Sequence, residues 1–262
     1  MAEEYGLPRI GDSAPDFSAV TTQHTEFNFS AWQEQDWVVL FSHPADFTPV
    51  CTTELIAFAH QYESFRQRNV KLIGLSVDSI HAHLAWVKNI QDKMKVSIPF
   101  PMIADADMKI AGLYGMIHPN SSSTATVRAV FIIDPKRVIR ALIYYPLNAG
   151  RNVDEIFRLV VALQATQRFA CATPANWQEG EKVVVPPPKT LTEIEQAMAQ
   201  TNYEVQDFYL ALKDVSQPKI KNPPPAEAAK AQDEEPPKSS KTPADKPVQG
   251  NGAAATESSP PA

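Results

Sequence analysis

With 262 residues and 44% hydrophobic side chains the chain can bury a sizeable core, and a formal charge of −6 gives it no electrostatic attraction to nucleic acid. No stretch approaches the roughly 20 apolar residues of a membrane-spanning helix. The N-terminal Met1-Ala2-Glu3-Glu4-Tyr5 lacks the basic-then-apolar pattern of a secretory leader, so a cytoplasmic protein without a membrane span is expected. Two cysteines are too few for a disulfide framework, and Glu54, three positions after Cys51, excludes a Cys-x-x-Cys pair.

In chain order, Trp37 to Ser42 reads as an apolar strand, Cys51 to Arg68 as a helix, and Val70 to Val77 as a second strand rich in branched residues. Strand, helix and strand form a right-handed βαβ unit. Ile80 to Met94 reads as an amphipathic helix with Leu84, Val87, Ile90 and Met94 turned to the core. His81 and His83 are spaced i, i+2 and point to different helix faces, so they read as solvated histidines rather than a metal pair; neither a metal nor a cofactor is expected. A shorter helix from Met108 to Tyr114 follows the Pro99-Phe100-Pro101 break. Val127 to Ile133 and Val138 to Tyr145 are strands around the turn Asp134-Pro135-Lys136-Arg137, and Asn152 caps a helix from Val153 to Gln167. The pattern predicts an α/β fold, a mixed sheet with flanking helices. From Pro218 onward the chain holds ten of its 23 prolines, no aromatic residue, and six lysines against six acids. Such a segment cannot build a core, and disorder is expected over 218–262.

The chemistry concentrates in Val38 to Leu55, where an apolar strand runs into a proline-studded turn and Cys51 falls at a helix start. Unpaired N–H groups and the helix dipole stabilise a thiolate there, and the thiolate is the nucleophilic form. Most lone cysteines are small core hydrophobes. Here Pro44 and Pro49 stiffen the approach, Thr48 brings a hydroxyl one turn upstream, and Thr52, Thr53 and Glu54 suit a first helical turn. Packing alone needs none of this.

Pro44, Thr48 and Cys51 reproduce the P-x-x-x-T-x-x-C motif of peroxiredoxins, and His43-Pro44 with Pro49-Val50-Cys51-Thr52-Thr53-Glu54 resembles the one-cysteine, peroxiredoxin-6-like branch of that family. Val127 to Asp134 looks like its arginine-bearing strand, Tyr145-Pro146 with Gly150-Arg151-Asn152 like the next turn, and Ala172 to Trp177 like the start of its C-terminal arm. The resemblance implies a thioredoxin-like peroxidase domain over 5–168 and an arm over 169–217. It also implies a thiol-dependent peroxidase for hydrogen peroxide and organic hydroperoxides, working through a cysteine sulfenic acid in antioxidant defence and redox homeostasis.

Carried over by residue, Cys51 is the nucleophile, Arg128 stabilises the thiolate and donates to the peroxide, and Thr48 with the Cys51 N–H completes the cradle beside Pro44. His43 is expected at the pocket entrance, and Arg151 with Glu54 as an ion pair orienting Arg128. In two-cysteine relatives the resolving cysteine directly precedes Pro-Ala-x-Trp; here Thr173 stands in that place and Cys171 lies two residues upstream. The departure favours a one-cysteine cycle, with an external thiol reductant (glutathione or a thioredoxin-like protein) or ascorbate, and leaves Cys171 as a displaced resolver or a packed spectator. Tyr203, Phe208 and Tyr209 on the arm have no internal site in a compact core, and because such arms in related proteins cross onto the other protomer, the resemblance implies a crossed-arm homodimer. A lipase serine of the peroxiredoxin-6 kind is not expected, because Phe27 to Gln33 has no glycine-flanked nucleophile elbow. The competing reading is non-enzymatic: a peroxide sensor or a holdase chaperone.

Overall fold

The computed structural model of the protein describes residues 7–200 and 202–215. The expected disorder over 218–262 lies outside the described residues. In chain order the elements are β1 (Ser18–Ala19), β2 (Phe27–Asn28), α1 (Phe29–Gln33), β3 (Trp37–Ser42), α2 (Pro49–Arg66), β4 (Val70–Ser76), α3 (Ile80–Met94), β5 (Met102–Ala104) and α4 (Lys109–Leu113). There follow β6 (Arg128–Ile133), β7 (Ile139–Tyr145), α5 (Val153–Phe169), β8 (Val183–Val184), α6 (Leu191–Met198), β9 (Tyr203–Asp207) and β10 (Leu210–Lys213).

The central sheet has the order β5-β4-β3-β6-β7. The pairs β3–β4 and β4–β5 are parallel, whereas β3–β6 and β6–β7 are antiparallel. Every residue of β3 and β6 is buried, because helices cover both sheet faces and leave no side of the strand for water. Alternation then divides the core. Val39 and Phe41 pack with Phe58 of α2, Trp86 of α3 and Ile156 of α5, while Val38 and Leu40 pack with Phe29, Tyr114 and Phe131 on the other face. This is the mixed α/β, thioredoxin-like arrangement expected, and β3 delivers its C-terminal end directly to the turn that leads into α2.

Three local expectations are corrected. Helix α2 starts at Pro49, two residues before Cys51, because proline lacks the N–H that a first-turn residue leaves unpaired; Glu54 therefore belongs to the second turn and not to the first. The helix ends at Arg66, and Asn69, in the left-handed region at φ 53°, turns the chain into β4. The buried stripe of α3 is His83, Trp86 and Ile90, with Leu84 and Met94 each 47% exposed. Trp86 offers more apolar area than either of those residues, and His83 is buried because a buried carboxylate meets it.

The segment after α5 forms a three-stranded antiparallel sheet, β8-β10-β9. Trp177 fastens it to helix α5: its ring is buried against Val161, Ala162 and Ala165, and its indole N–H donates to Glu181 C=O. Arg158 of α5 donates to Trp177 C=O, and Arg68 pairs with Glu179.

Candidate active site around Cys51

Cys51 lies in the first turn of α2 and is fully buried. Thr48 is the N-cap in extended conformation, and the helix's own bonding begins with Thr52 N–H to Thr48 C=O at 3.0 Å. The Cys51 N–H precedes that bond and belongs to the unpaired first turn. The Thr48 hydroxyl donates to Ala45 C=O at 2.8 Å; among the described residues no hydrogen bond joins it to the Cys51 sulfur. Its single proton is thereby committed, which leaves its lone pairs as acceptors. The turn is tight: Phe47 adopts φ 55°, a strained value for an aromatic residue, and its side chain is exposed. Pro44 is half-buried in the same turn.

Arg128 opens β6 and reaches the sulfur. Its Nη1 lies 3.2 Å from Cys51 Sγ and donates at 2.7 Å to Glu54 Oε2, while Nε and Nη2 donate to Leu147 C=O at 3.1 and 2.7 Å. Arg151 grips the same carboxylate with its backbone N–H and Nε on Oε1, at 2.9 and 3.0 Å, and Nη2 on Oε2 at 2.7 Å. Arg151 Nη1 donates to Ser42 C=O and Ala129 C=O at 2.9 and 3.1 Å, and its guanidinium stacks over Phe41 and Phe58. Burial works against the Glu54 carboxylate, yet the hydrogen bonds and charge of Arg151, joined by the charge of Arg128, hold its carboxyl below the usual value. Two cations on one carboxylate leave net positive charge beside the sulfur.

His43 is not at a pocket entrance, because it is fully buried. Its Nε2 meets Asp46 Oδ1 at 2.8 Å, and its ring packs against Trp86. His83 is not a solvated histidine either: it is equally buried, with Nδ1 on Asp46 Oδ2 at 2.6 Å and Nε2 on Ile103 C=O at 3.0 Å. Each oxygen of Asp46 is taken by one imidazole in a direct hydrogen bond. Burial, only partly offset by Asp46, pushes the His43 imidazole below its ordinary pKa. His81 remains on the outer face of α3. The i, i+2 spacing does put His81 and His83 on different faces of α3, and the face of His83 is buried against Asp46 from the turn before α2.

Cys171 follows α5 and shares none of this. Its thiol is half-buried against Ala165 C=O at 3.7 Å, and both cysteines are free. Burial pushes the Cys171 thiol up.

The structure therefore brings Cys51, Arg128, Glu54 and Arg151 into one hydrogen-bonded cluster, with Thr48 and Pro44 in the turn above it and His43 in a separate buried network. Two participants leave no signal in residue types, and a third leaves one. The Leu147 carbonyl is a backbone group with no side-chain signal. The Asp46–His83 bond spans 37 positions. Ser42, the one hydroxyl in β3, is a signal that the apolar reading of the strand passed over.

Residues 10–142 match the AhpC/TSA family and residues 162–200 match the C-terminal domain of 1-Cys peroxiredoxin. A peroxiredoxin of Aquifex aeolicus is 52% identical over 223 residues, spanning 81% of this chain and all of that protein. "Peroxiredoxin 2" of Caldanaerobacter subterraneus is 54% identical over 210 residues, 80% of this chain and 94% of the relative. Among solved structures, a yeast mitochondrial 1-Cys peroxiredoxin superposes with a TM-score of 0.72 at 42% identity, covering 80% of this chain and all of that one. A mutant of peroxiredoxin 6 from Arenicola marina gives the same TM-score at 37% identity over 82% of this chain and all of its own. The chain belongs to the peroxiredoxin family. It is a thiol-dependent peroxidase.

Proposed function

We propose that Cys51 is the peroxidatic nucleophile and that its immediate neighbours divide the work of holding a peroxide. The thiolate attacks one peroxide oxygen in line, an S–O bond forms as the O–O bond breaks, and the departing oxygen leaves as hydroxide or alkoxide and takes a proton from water. The products are Cys51 sulfenic acid and water or an alcohol. Arg128 stabilises the thiolate and donates to the oxygen on which charge develops, and the Cys51 N–H is the second donor. With its proton on Ala45 C=O, the Thr48 hydroxyl accepts from the peroxide O–H. Pro44 keeps bulk water from the sulfur, and Glu54 with Arg151 holds Arg128 in place. The observation that carries the reading is the position of Arg128 Nη1, shared between Cys51 Sγ and Glu54.

The cycle we infer is of the one-cysteine type, completed by an external thiol. The yeast structure to which the chain is similar concerns thiol resolution via glutathione/thioredoxin systems, and either kind of donor suits a sulfenic acid here. Cys171 is a packed spectator in this reading. Hydrogen peroxide and organic hydroperoxides are the proposed substrates, in cytoplasmic antioxidant defence. A steady-state assay with glutathione or a thioredoxin system tests it: many equivalents of peroxide consumed per protein are expected, whereas a sensor or a holdase stops at one.

We further propose a homodimer in which residues 169–217 act as an arm crossing to the partner subunit. Helix α6 buries no residue, Leu191 is 81% exposed, and Phe208 and Tyr209 are 44% and 58% exposed at the β9–β10 turn. Such apolar groups favour a covering surface. Truncation at Pro218 leaves the dimer intact in this account. Truncation after Ala175 weakens it, and a stable, fully active monomer from that truncation, seen by light scattering, rules the arm out as the dimer contact.

A further inference from the structure

Ser42 ends β3 and is fully buried. The antiparallel β3–β6 ladder runs from Val38 opposite Ile133 to Phe41 opposite Val130 and stops there. Beyond that point lie Ala129 N–H in β6 and the C=O of Val127, the residue just before the strand; these are the peptide groups on either side of Arg128. The Ser42 side chain takes both: Oγ donates to Val127 C=O at 2.6 Å and accepts from Ala129 N–H at 3.1 Å. The Ser42 backbone does a third task, because its C=O accepts Arg151 Nη1 at 2.9 Å, and that same nitrogen reaches Ala129 C=O at 3.1 Å. The backbone of His43, the next residue, is otherwise engaged: its N–H goes to Leu75 C=O and its C=O accepts from the Thr126 hydroxyl.

A buried hydroxyl at the end of a core strand costs stability unless it is hydrogen-bonded, and an apolar residue would continue the run Val38 to Phe41 better. The cost here is offset by two bonds to one short piece of backbone, the piece from which the Arg128 side chain departs. Arg128 meets the sulfur through a single nitrogen at 3.2 Å, so a shift of its Cα carries directly to that contact.

We propose that Ser42 is a positioning residue for peroxide reduction: its hydroxyl clamps the backbone on both sides of Arg128 so that Nη1 meets the Cys51 sulfur. The proposal rests on the reading of Arg128 as the activating cation. Ser42 touches neither sulfur nor peroxide and acts through Arg128 alone.

A double-mutant cycle on the full chain tests it, read as the second-order rate constant for Cys51 with hydrogen peroxide in Ser42→Ala, Arg128→Met and the double variant. Ser42→Ala is expected to slow the reaction about 10- to 100-fold, the scale on which a roughly 1 Å misplacement acts. In the Arg128→Met background the same change is expected to add nothing. An undiminished rate in Ser42→Ala, or an equal fall in both backgrounds, overturns the proposal. A normal rate in Arg128→Met alone is a different outcome, which removes the assignment of Arg128 itself. If Ser42→Ala does not fold, Ser42→Thr decides: it keeps the hydroxyl and is expected to react within a few-fold of the parent. A folded Ser42→Thr as slow as Arg128→Met overturns the role of the hydroxyl.

Discussion

The two cysteines of this chain occupy opposite chemical settings, although neither is well exposed. Cys51 is the more deeply buried, yet a guanidinium lies 3.2 Å from its sulfur, and two arginines share one carboxylate beside it. Cys171 is half-buried against a backbone carbonyl, and burial raises its thiol pKa. Under the proposed assignment of Cys51, burial alone does not decide thiol chemistry; what decides it is whether burial comes with a cation, because desolvation disfavours a lone thiolate while an adjacent positive charge favours it.

The contrast breaks most completely at the nucleophile: Cys51→Ser should abolish turnover, checked by steady-state peroxide consumption. Next in size is the carboxylate that joins the two arginines. Glu54→Gln removes the carboxylate that two buried guanidiniums share, leaving Arg151 without an anionic partner, and should cost about 3 to 5 kcal/mol, read from denaturant unfolding. The same variant has a pH signature. Because the folded protein holds the Glu54 carboxyl below its ordinary value, its contribution is present at neutral pH and is lost as pH falls below about 4.5 through the depressed folded value. That part of the acid-side decline should be missing from Glu54→Gln.

Arg128→Met keeps approximate volume but removes the fork of donors, and should slow the peroxide step about 10² to 10³-fold, roughly 3 to 4 kcal/mol. A stopped-flow rate equal to the parent would take Arg128 out of the mechanism. Cys171→Ser should be the smallest change, with the first, peroxide-reducing step intact by the same measurement.

Much of the fold was legible because both sheet faces are covered. Continuous apolar runs mark β3 and β6, and the Asn152 side chain accepting Glu155 N–H marks the start of α5. The buried face of α3 was not legible. Apolar residue type favours Leu84 and Met94, whereas the fold buries His83, whose partner Asp46 comes from the turn before α2. At the site, residue types single out Cys51, Arg128, Glu54 and Arg151, but nothing in them places Leu147 C=O under Arg128 or the Ser42 hydroxyl beside it. Backbone acceptors and long-range polar pairs leave no local pattern to read.

The central claim is that Cys51 alone reacts with peroxide and that its oxidised form waits for an external thiol. The most direct measurement is peptide mapping by mass spectrometry of the reduced wild-type protein after one equivalent of hydrogen peroxide, with a sulfenic-acid trap present. The account predicts stoichiometric trapping on Cys51 and an unmodified Cys171. A stoichiometric Cys51–Cys171 disulfide between subunits, or trapping at Cys171 in place of Cys51, would contradict it.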